Sequence, residues 1–562
     1  MKIITHFKKC LALPQTSWQL CLLAAIGGFA SAMLVVIFIF AIEGIQSFYL
    51  SEKDDYSSLT ALSRFQLPII GAVVILFFSW LTGYKYIRTG IPFVLHRLKT
   101  ANGVMPLRNT INQFIGSAVA LAAGFSVGKE GPAVHLGAAC SSYIGSKLNL
   151  PYNAIRSLSA CGIAAGIAAC FNTPVAAVIF VMEVILREYK VHIFIPVMIA
   201  AIVGSMTTSA IFGTAHEFEY FTTITLDSQH YLALVILGVV LGVIAFAFNR
   251  YLIVIIKYSA RFHIVQRILV ASVITGTIGY LMPYAMGADL SAIDFSLQNS
   301  PELQLLLGLL VAKILMTITT LGLGIPGGII GPILGIGAII GTCISVLAMY
   351  FMPGNLQASD FALMGMAGFM AATLNAPLAA LLCVVEMSNQ IEIIVPAMIV
   401  IASSCISSGQ FFRNRSIFIM QLEVQGLDYR RPPIEKSLQR VGVIGVMQEQ
   451  LIQIADNDNK TIAATITEHT PHQHAIIKKE NLQNESEYIW CQPEQKNNDN
   501  SQSIVRHKLI PLSNQSTLAE AYLLLVRKRE GGVYIYQDNP NDIMGIITFD
   551  AIRSYLLKGK TH

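Results

Sequence analysis

The chain has 562 residues, of which 54% are apolar and 13% are charged, roughly half the charged share of ordinary soluble proteins. A soluble protein of this length could not bury so much apolar surface, which excludes a single soluble domain, a disordered chain and a disulfide scaffold. The last 140 residues hold 33 of the 71 charged side chains. This pattern predicts a membrane domain over residues 1–422 and a water-soluble tail over residues 423–562.

The net charge is +5, and no basic run carries interleaved aromatic residues, so we expect no nucleic-acid partner. Lys2, Lys8 and Lys9 precede the apolar stretch Trp18–Ala41, which is too long for a signal peptide. We therefore predict an uncleaved first span with cytoplasmic termini. No organelle signal is visible, so the predicted location is the plasma membrane. Further predicted spans are Leu67–Tyr84, Tyr231–Ile256 and Leu303–Leu321.

Other apolar segments are interrupted by Gly and Pro, and the interruptions come in pairs. Residues 161–184 align with residues 364–387 without a gap, and ten of the 24 positions are identical. A second pair aligns Gly128–Pro132 with Gly328–Pro332. Paired broken helices in two halves are typical of transporters with internal repeats and a site near the membrane midplane. Chance similarity between small-residue helices is the alternative.

The motif pair Gly128–Pro132 and Gly328–Pro332 places Gly and Pro where apolar helices begin. Helix N-termini offer unpaired N–H groups and partial positive charge, so two converging ends could hold a small anion. The alternative is that the glycines only permit close helix packing. Glu130 lies inside one motif, and its carboxylate could compete with the anion for the same N–H groups. The alternative role for Glu130 is an ion pair at a membrane edge.

These motifs, in this order over residues 18–422, resemble those of the CLC family of chloride channels and chloride/proton antiporters. Gly128-Lys129-Glu130-Gly131-Pro132 is similar to its Gly-(Arg/Lys)-Glu-Gly-Pro signature, and residues 88–92 and 328–332 are similar to two further signatures. The resemblance implies an all-α multi-pass fold with inverted repeats. It also implies a homodimer in lipid, with one path for chloride or a similar monovalent anion in each subunit.

The same resemblance assigns roles to individual residues. Glu130 would be the gating glutamate. Thr89 falls at the family's filter serine and keeps a hydroxyl donor, whereas Phe418 falls at the inner-gate tyrosine and lacks the hydroxyl. The remaining anion-binding positions would be Lys129, Ile329, Ile330 and Gly331.

Val184 departs from the pattern of the proton-coupled members. These members carry two adjacent glutamates, and the second relays protons; here the first is Glu183 and the second is Val184. Valine cannot relay a proton, so the sequence favours a chloride channel, with a chloride/proton antiporter as the alternative. In the antiporter Glu183 could supply a proton path. Its counterpart Glu386 in the other repeat suggests a structural role shared by both halves.

Two other classes of protein compete with a transporter. An intramembrane enzyme would need a nucleophile beside a base, and no Ser or Cys is evidently placed for His135 to activate. A nucleotide sensor with a membrane anchor would not need duplicated helix breaks. We therefore predict no enzyme activity, no cofactor and no metal site. Lys313, in an apolar segment, could attract anions at the inner mouth or extend towards the interface.

The tail is predicted to be a small α+β domain with a degenerate CBS-like pattern. Val441–Met447 indicates a strand leading into a helix, and Thr517–Arg527 an amphipathic helix. Strands follow at Gly532–Tyr536 and Ile543–Thr548, before a helix that starts at Asp550. Residues 480–503 are polar and predict a loop. Asp550 comes one residue earlier than in CBS motifs, so adenine-nucleotide binding is doubtful and a dimerisation cap is preferred.

Overall fold

A computed structural model describes residues 2–84, 90–213, 230–288, 290–297, 302–351, 357–427, 432–454, 474–480, 486–494, 503–537 and 539–558. The chain forms two compact units. The membrane unit comprises Cys21–Ile144 and Arg156–Tyr429, and the tail unit comprises Met1–Leu20, Gly145–Ile155 and Arg430–His562. The single boundary at residue 423 that composition suggested stays a prediction.

Helices dominate the chain. Among the described residues, nine helices are long and apolar enough to cross a membrane, so the chain is a multi-pass membrane protein. The helices are α1 (Lys2–Ala12), α2 (Trp18–Gln46), α3 (Ala61–Thr82), α4 (Gly90–Thr100), α5 (Leu107–Ala122), α6 (Glu130–Lys147), α7 (Tyr152–Phe171), α8 (Pro174–Phe180), α9 (Val191–Phe212), α10 (Tyr231–Ser259), α11 (Ile264–Leu281), α12 (Leu290–Leu297), α13 (Leu303–Leu323), α14 (Ile330–Phe351), α15 (Ala358–Leu374), α16 (Pro377–Ser388), α17 (Ile394–Ile406), α18 (Ile417–Val424), α19 (Pro433–Leu438), α20 (Leu518–Leu525) and α21 (Phe549–Lys558).

The four predicted spans are confirmed as helices α2, α3, α10 and α13, with different ends. Helix α3 begins at Ala61, six residues before the predicted start, and carries Pro68 inside it. Its cap is Thr60, whose side chain accepts a hydrogen bond from the Ser63 N–H. Polar residues of the first turn therefore belong to the helix, because a capped first turn does not need to be apolar.

The predicted helix breaks have one physical cause in both repeats. Asn172 and Asn375 adopt left-handed backbone conformations, with φ of 56° and 54°, directly after α7 and α15. Asparagine tolerates this conformation and ends a helix. Pro174 and Pro377 then occupy the first positions of α8 and α16, where proline's fixed φ suits a new helix.

Glycine pairs bring the long helices of each repeat into backbone contact. A Cβ on Gly337 would lie 2.5 Å from the Gly365 carbonyl oxygen, and Gly137 and Gly162 approach each other even more closely. Glycine is needed there because any side chain would push α14 away from α15, or α6 away from α7. Close packing of two helices through a glycine pair occurs in both halves, which agrees with an internal duplication.

The tail unit contains two small sheets, which makes it an α+β region. In the first sheet the order is β1–β2–β3–β4, with β1 parallel to β2 and the other pairs antiparallel; in the second, β6 pairs parallel with β5 and antiparallel with β7. The strands are β1 (Leu451–Gln453), β2 (His474–Glu480), β3 (Ser486–Glu494), β4 (Ser503–Lys508), β5 (Ile510–Ser513), β6 (Gly532–Tyr536) and β7 (Ile543–Thr548).

Strands β6 and β7 and helix α20 confirm the predicted elements, and α21 starts at Phe549, one residue before the predicted start. The loop predicted over residues 480–503 is wrong for residues 486–494, which form β3. The side chains of Tyr488 and Trp490 both point inward along β3 and are 3% and 7% exposed. Burial of these two aromatic rings stabilises a strand in a segment that is otherwise polar.

The strand and helix predicted at Val441–Met447 are also wrong, because this segment is a single 3₁₀ turn at Val443–Gly445. Its backbone groups bond elsewhere in the tail unit. The Gly442 N–H donates to the Ala12 carbonyl, and the Val443 N–H donates to the Ser516 carbonyl, at 2.8 and 2.9 Å.

Candidate anion site

The two helix-end motifs meet in the membrane unit. The N–H of Gly128 donates to the carbonyl of Gly328, and the N–H of Gly328 donates to the carbonyl of Gly128, both at 2.8 Å. This antiparallel bridge holds the start of α6 against the start of α14. A Cβ on Gly131 would lie 2.7 Å from the Gly328 Cα. Only glycine therefore permits this approach.

The Glu130 carboxylate lies in the space that these glycines leave open, and Glu130 is 1% exposed. A Cβ on Gly328 would lie 2.7 Å from Glu130 Oε2, and one on Gly331 would lie 3.0 Å from Oε1. A Cβ on Gly128 would overlap the carboxylate. We call this space, bounded by Gly128, Gly328 and Gly331, the glycine cradle. It holds a carboxylate at the N-terminal ends of two helices, where negative charge is favoured.

A cavity of about 410 Å³ adjoins the glycine cradle at Gly131, Gly328 and Ile329. Phe418, at the start of α18, also lines it and is 2% exposed. A cavity beside two helix N-termini can hold hydrated ions next to N–H donors. Its other walls are formed by Gly90, Ile91, Pro92, Phe93, Ile256, Ala260, Ile264, Arg267, Leu321, Gly322, Gly324, Ile325, Pro326, Gly327, Gln421, Val424, Gln425 and Leu427.

The remaining predicted anion-binding residues lie in different places. Ile330 is the first residue of α14 and is 3% exposed. The Lys129 ammonium lies over the Phe171 ring, 5.3 Å from its centre. Thr89 lies outside the described residues.

Glu183 and Glu386 cap helices of the opposite repeats. The Glu183 carboxylate accepts hydrogen bonds from the N–H groups of Leu378 and Ala379, at 3.3 and 2.7 Å. The Glu386 carboxylate accepts hydrogen bonds from Val175 and Ala176, at 3.0 and 2.7 Å. Each carboxylate thus satisfies the free donors at the start of a proline-initiated helix. This arrangement agrees with a structural role shared by both halves.

Val184 follows Glu183 in one wider, π-type turn, Val181–Leu186, and is 4% exposed. Its aliphatic side chain packs in the core of the membrane unit. Such turns are frequent at functional sites. The position next to Glu183 therefore offers neither a proton acceptor nor an open surface.

Lys313 occupies neither of the two environments weighed from the sequence. Its side chain is fully buried, and Nζ donates hydrogen bonds to the carbonyls of Ala285 and Gly287 at 3.2 and 2.9 Å. Ala288 follows directly, and its Cβ lies 3.7 Å from a Cβ built on Gly331. Lys313 thus anchors the loop that supports one wall of the glycine cradle.

His135 is buried one turn beyond Gly131 on α6. Its ring stacks on Phe93, with the ring centres 5.5 Å apart, and Nε2 lies 3.5 Å from the Thr110 hydroxyl. No serine or cysteine is placed as its nucleophile partner in these contacts. Among the described residues, no group of three His, Cys, Asp or Glu side chains could hold a metal ion.

Sequence reasoning did not single out Arg267 or foresee the crossed hydrogen bonds. Arg267 is a basic residue in the first turn of the apolar helix α11, and that isolation was a usable signal. The sequence alignment of the two repeats pairs Glu183 with Glu386. It did not show that each carboxylate accepts hydrogen bonds from the other repeat, because the donors are backbone N–H groups about 200 residues away.

The chain is similar to known proteins over most of its length. Residues 71–409 match the family model described as "Voltage gated chloride channel". The H(+)/Cl(-) exchange transporter ClcA of Citrobacter koseri is 26% identical over 432 residues, which cover 73% of this chain and 89% of the relative.

Two solved structures share the fold. One is described as a slow cyanobacterial Cl−/H+ antiporter; its TM-score is 0.65 at 21% identity, and the match covers 73% of this chain and 98% of that one. The other is described as a eukaryotic CLC transporter; its TM-score is 0.62 at 18% identity, and the match covers 95% and 97% of the two chains. With the family model matching more than half of its length, this chain belongs to the voltage gated chloride channel (CLC) family of anion transport proteins.

Proposed function

We propose that this protein exchanges chloride for protons across a membrane, with Glu130 as the gate. The observation that carries the proposal is the position of the Glu130 carboxylate, which occupies the glycine cradle where two helix N-termini meet. The cradle is the place where a small anion would bind, so carboxylate and anion compete for it.

The competition gives a mechanism. Ionised Glu130 is attracted to the N–H groups and the partial positive charge of α6 and α14. Protonation removes the negative charge and weakens that attraction, so the side chain leaves and chloride takes its place. When Glu130 loses its proton again, it displaces the chloride. Chloride and the ionised carboxylate therefore alternate at one position, and this links chloride binding to the protonation of Glu130, as coupled transport requires.

The relative from Citrobacter koseri, described as an H(+)/Cl(-) exchange transporter, supports coupling to protons. This support outweighs the preference for a channel drawn from the sequence alone. The second candidate function is an uncoupled chloride channel, and Val184 is the observation that favours it. An exchanger would need a proton route that avoids Val184, through Glu183 or through water.

The test uses purified protein in liposomes with an imposed chloride gradient, recording chloride efflux and internal pH together. Uphill proton movement driven by chloride supports exchange. Chloride flux without proton movement would mean a channel or an uncoupled carrier and contradicts exchange. Glu130→Gln, which keeps the size of the side chain but cannot ionise, should retain chloride flux and lose proton movement.

We further propose a homodimer in the plasma membrane with both termini in the cytoplasm. The resemblance of residues 18–422 to the CLC family supports the dimer. Subunit counting by single-molecule photobleaching in liposomes tests the dimer. Protease access to tags at each terminus in sealed cells tests the orientation.

The tail is proposed as a cap that assists dimerisation, with no adenine nucleotide required. Asp550 lines a cavity of about 230 Å³ together with Trp490, His507 and Arg529. If the tail is a cap, transport in liposomes should be the same with and without added adenine nucleotides. A change in rate on adding nucleotide would contradict this.

A further inference from the structure

His135 is a buried titratable side chain of the membrane unit that the mechanism above does not use. It is fully buried, and it follows Glu130 by five residues on α6, or about 7.5 Å along the helix axis. Imidazole gains and loses protons in the physiological pH range. His135 therefore offers, close to the gate, the proton-transfer chemistry that Val184 lacks.

The direction of α6 indicates from which side a proton would meet His135. The helix begins at Glu130 and ends at Lys147, and the segment Gly145–Ile155 belongs to the tail unit. His135 therefore lies between the gate and the end of α6 that leads into the tail unit. Because the tail is proposed to be cytoplasmic, a proton from the cytoplasm would reach the level of His135 before that of Glu130.

A row of buried polar side chains on α5 starts beside His135. Thr110, Gln113 and Ser117 are three and four residues apart, which places them on one face of the helix. They are 9%, 0% and 0% exposed. The Thr110 hydroxyl lies 3.5 Å from His135 Nε2, and Gln113 Nε2 donates a hydrogen bond to Ser117 Oγ. We call these three side chains the α5 polar row.

The other end of the α5 polar row reaches the level of the glycine cradle. Gly116, next to Ser117 in the chain, packs against Pro326, since a Cβ built on Gly116 would lie 3.0 Å from Pro326 Cγ. Pro326 precedes Gly328, which bounds the cradle, by two residues. The row therefore extends from His135 towards the cradle that holds the Glu130 carboxylate.

Two atoms along this route have hydrogen-bonding capacity that the protein does not use. His135 Nδ1 and Gln113 Oε1 are buried and have no hydrogen-bond partner among the described residues. Buried polar atoms that lack a protein partner commonly bond to internal water. Water bound at these two atoms would join the separate hydroxyl and amide groups into one hydrogen-bonded chain.

We propose that His135 is the inner proton relay of this exchanger, and that the α5 polar row with its bound water carries the proton between His135 and Glu130. The inference rests on the proposed chloride/proton exchange and names the route that avoids Val184. In each transfer a proton binds one ring nitrogen of the neutral imidazole, and the proton on the other ring nitrogen leaves. The ring then returns to its first tautomer, and the Glu130 carboxylate accepts the proton and becomes the neutral acid. Only N–H and O–H bonds form and break, so no co-reactant is needed.

The test is the liposome measurement of chloride efflux and internal pH, made on the full chain. His135→Gln keeps a polar side chain beside Thr110 but cannot relay a proton. It should lower proton movement about 100-fold, the lower end of the effect of removing a positioned acid–base group. Chloride flux should continue, because the relay does not touch the anion in the cradle.

Val184→Glu provides a rescue. It restores the second of the two adjacent glutamates that proton-coupled members of the family carry. The double variant His135→Gln/Val184→Glu should therefore regain proton movement, which a structural defect at residue 135 would not allow.

Two single variants complete the set. Gln113→Leu keeps roughly the size of the side chain but removes its polar atoms from the α5 polar row, and it should slow proton movement while chloride flux continues. His192→Gln is the matched control, since His192 lies in the first turn of α9 and is partly exposed. It makes the same chemical change outside the row and should keep the wild-type ratio of chloride to protons.

Four results would overturn the relay. His135→Gln could keep the wild-type ratio of chloride to protons. It could lose proton movement and not regain it with Val184→Glu, which would make His135 only a structural support for the gate. If variants at residue 135 do not fold, an unchanged ratio in Gln113→Leu overturns the route. Finally, chloride flux without proton movement in the wild type would contradict exchange itself, and the relay with it; the first three results overturn the relay alone.

Discussion

Replacing Glu183 and Glu386 with glutamine, one at a time, tests whether the crossed carboxylates serve structure or proton transfer. The two side chains occupy equivalent positions in the repeats, and each accepts two backbone hydrogen bonds from the other half. Glutamine has nearly the same shape, keeps one acceptor oxygen and cannot ionise. Each residue is therefore the other's matched control.

The expected cost follows from the contacts. Each substitution removes one of two hydrogen bonds and the negative charge at a helix N-terminus. A lost cap hydrogen bond costs about 1 kcal/mol, and a charge at a helix end contributes about 0.3–1 kcal/mol. Each variant should therefore lose about 1–2 kcal/mol of stability, and the losses should be similar.

The assay is thermal unfolding of the purified protein, combined with the liposome measurement of chloride and proton movement. An unfolding entropy of about 2.1 cal/mol/K per residue over 562 residues converts the loss into a fall in melting temperature of about 1–2 °C. Glu392→Gln, at an exposed position, should leave the melting temperature unchanged. Both cap variants should keep the wild-type ratio of chloride to protons.

Two results would refute this reasoning. If neither cap variant lowers the melting temperature relative to Glu392→Gln, the carboxylates do not stabilise the helix starts. If Glu183→Gln abolishes proton movement and Glu386→Gln does not, Glu183 belongs to a proton path and its equivalence with Glu386 fails.

Three further predictions concern the glycine cradle and its support. In wild-type protein chloride flux should rise as pH falls, because protonation releases Glu130, whereas Glu130→Gln should show no pH dependence between pH 4 and 8; a preserved dependence would remove Glu130 as the gate. Gly328→Ala should abolish chloride flux and lower stability by about 1–3 kcal/mol, since the new Cβ would lie 2.6 Å from the Gly131 nitrogen. The control is Gly44→Ala, where the new Cβ would have open space around it. It should match the wild type in both chloride flux and melting temperature. Lys313→Met should lower stability by about 2–4 kcal/mol, because two buried loop carbonyls lose their donor; an unchanged melting temperature would show that other donors replace it.

The sequence predicted the parts of the site that depend on local backbone chemistry. Asn and Pro at the two helix breaks, and Gly-x-x-Gly-Pro at the two helix starts, specify backbone conformations that few other residues adopt. Their duplication indicated that the two motifs belong to one site. The Glu130 carboxylate lies in the glycine cradle, and its competition with an anion stays a prediction.

Contacts between distant segments could not be predicted in the same way. The sequence of an apolar helix does not reveal which of its faces is buried. Lys313 could therefore have been at the inner mouth of the anion path or at the membrane interface, and the structure buries it inside the membrane unit. The docking of residues 11 and 12 on Asn153 and Gly442 in the tail unit had no signal either. Its bonds use backbone carbonyls, which every residue possesses.

The hydrogen bonds that Glu183 and Glu386 accept from opposite repeats also determine when each repeat can finish folding during synthesis. Val175 lies 211 residues before Glu386, the side chain that satisfies its N–H group. At a translation rate of about 5–20 residues per second, the start of α8 waits roughly 10–40 s for its cap. During that interval its N–H donors need lipid headgroups, water or a chaperone, because bare donors are costly in hydrocarbon. The first repeat therefore reaches its final structure only after most of the second repeat has left the ribosome, and neither half can mature alone.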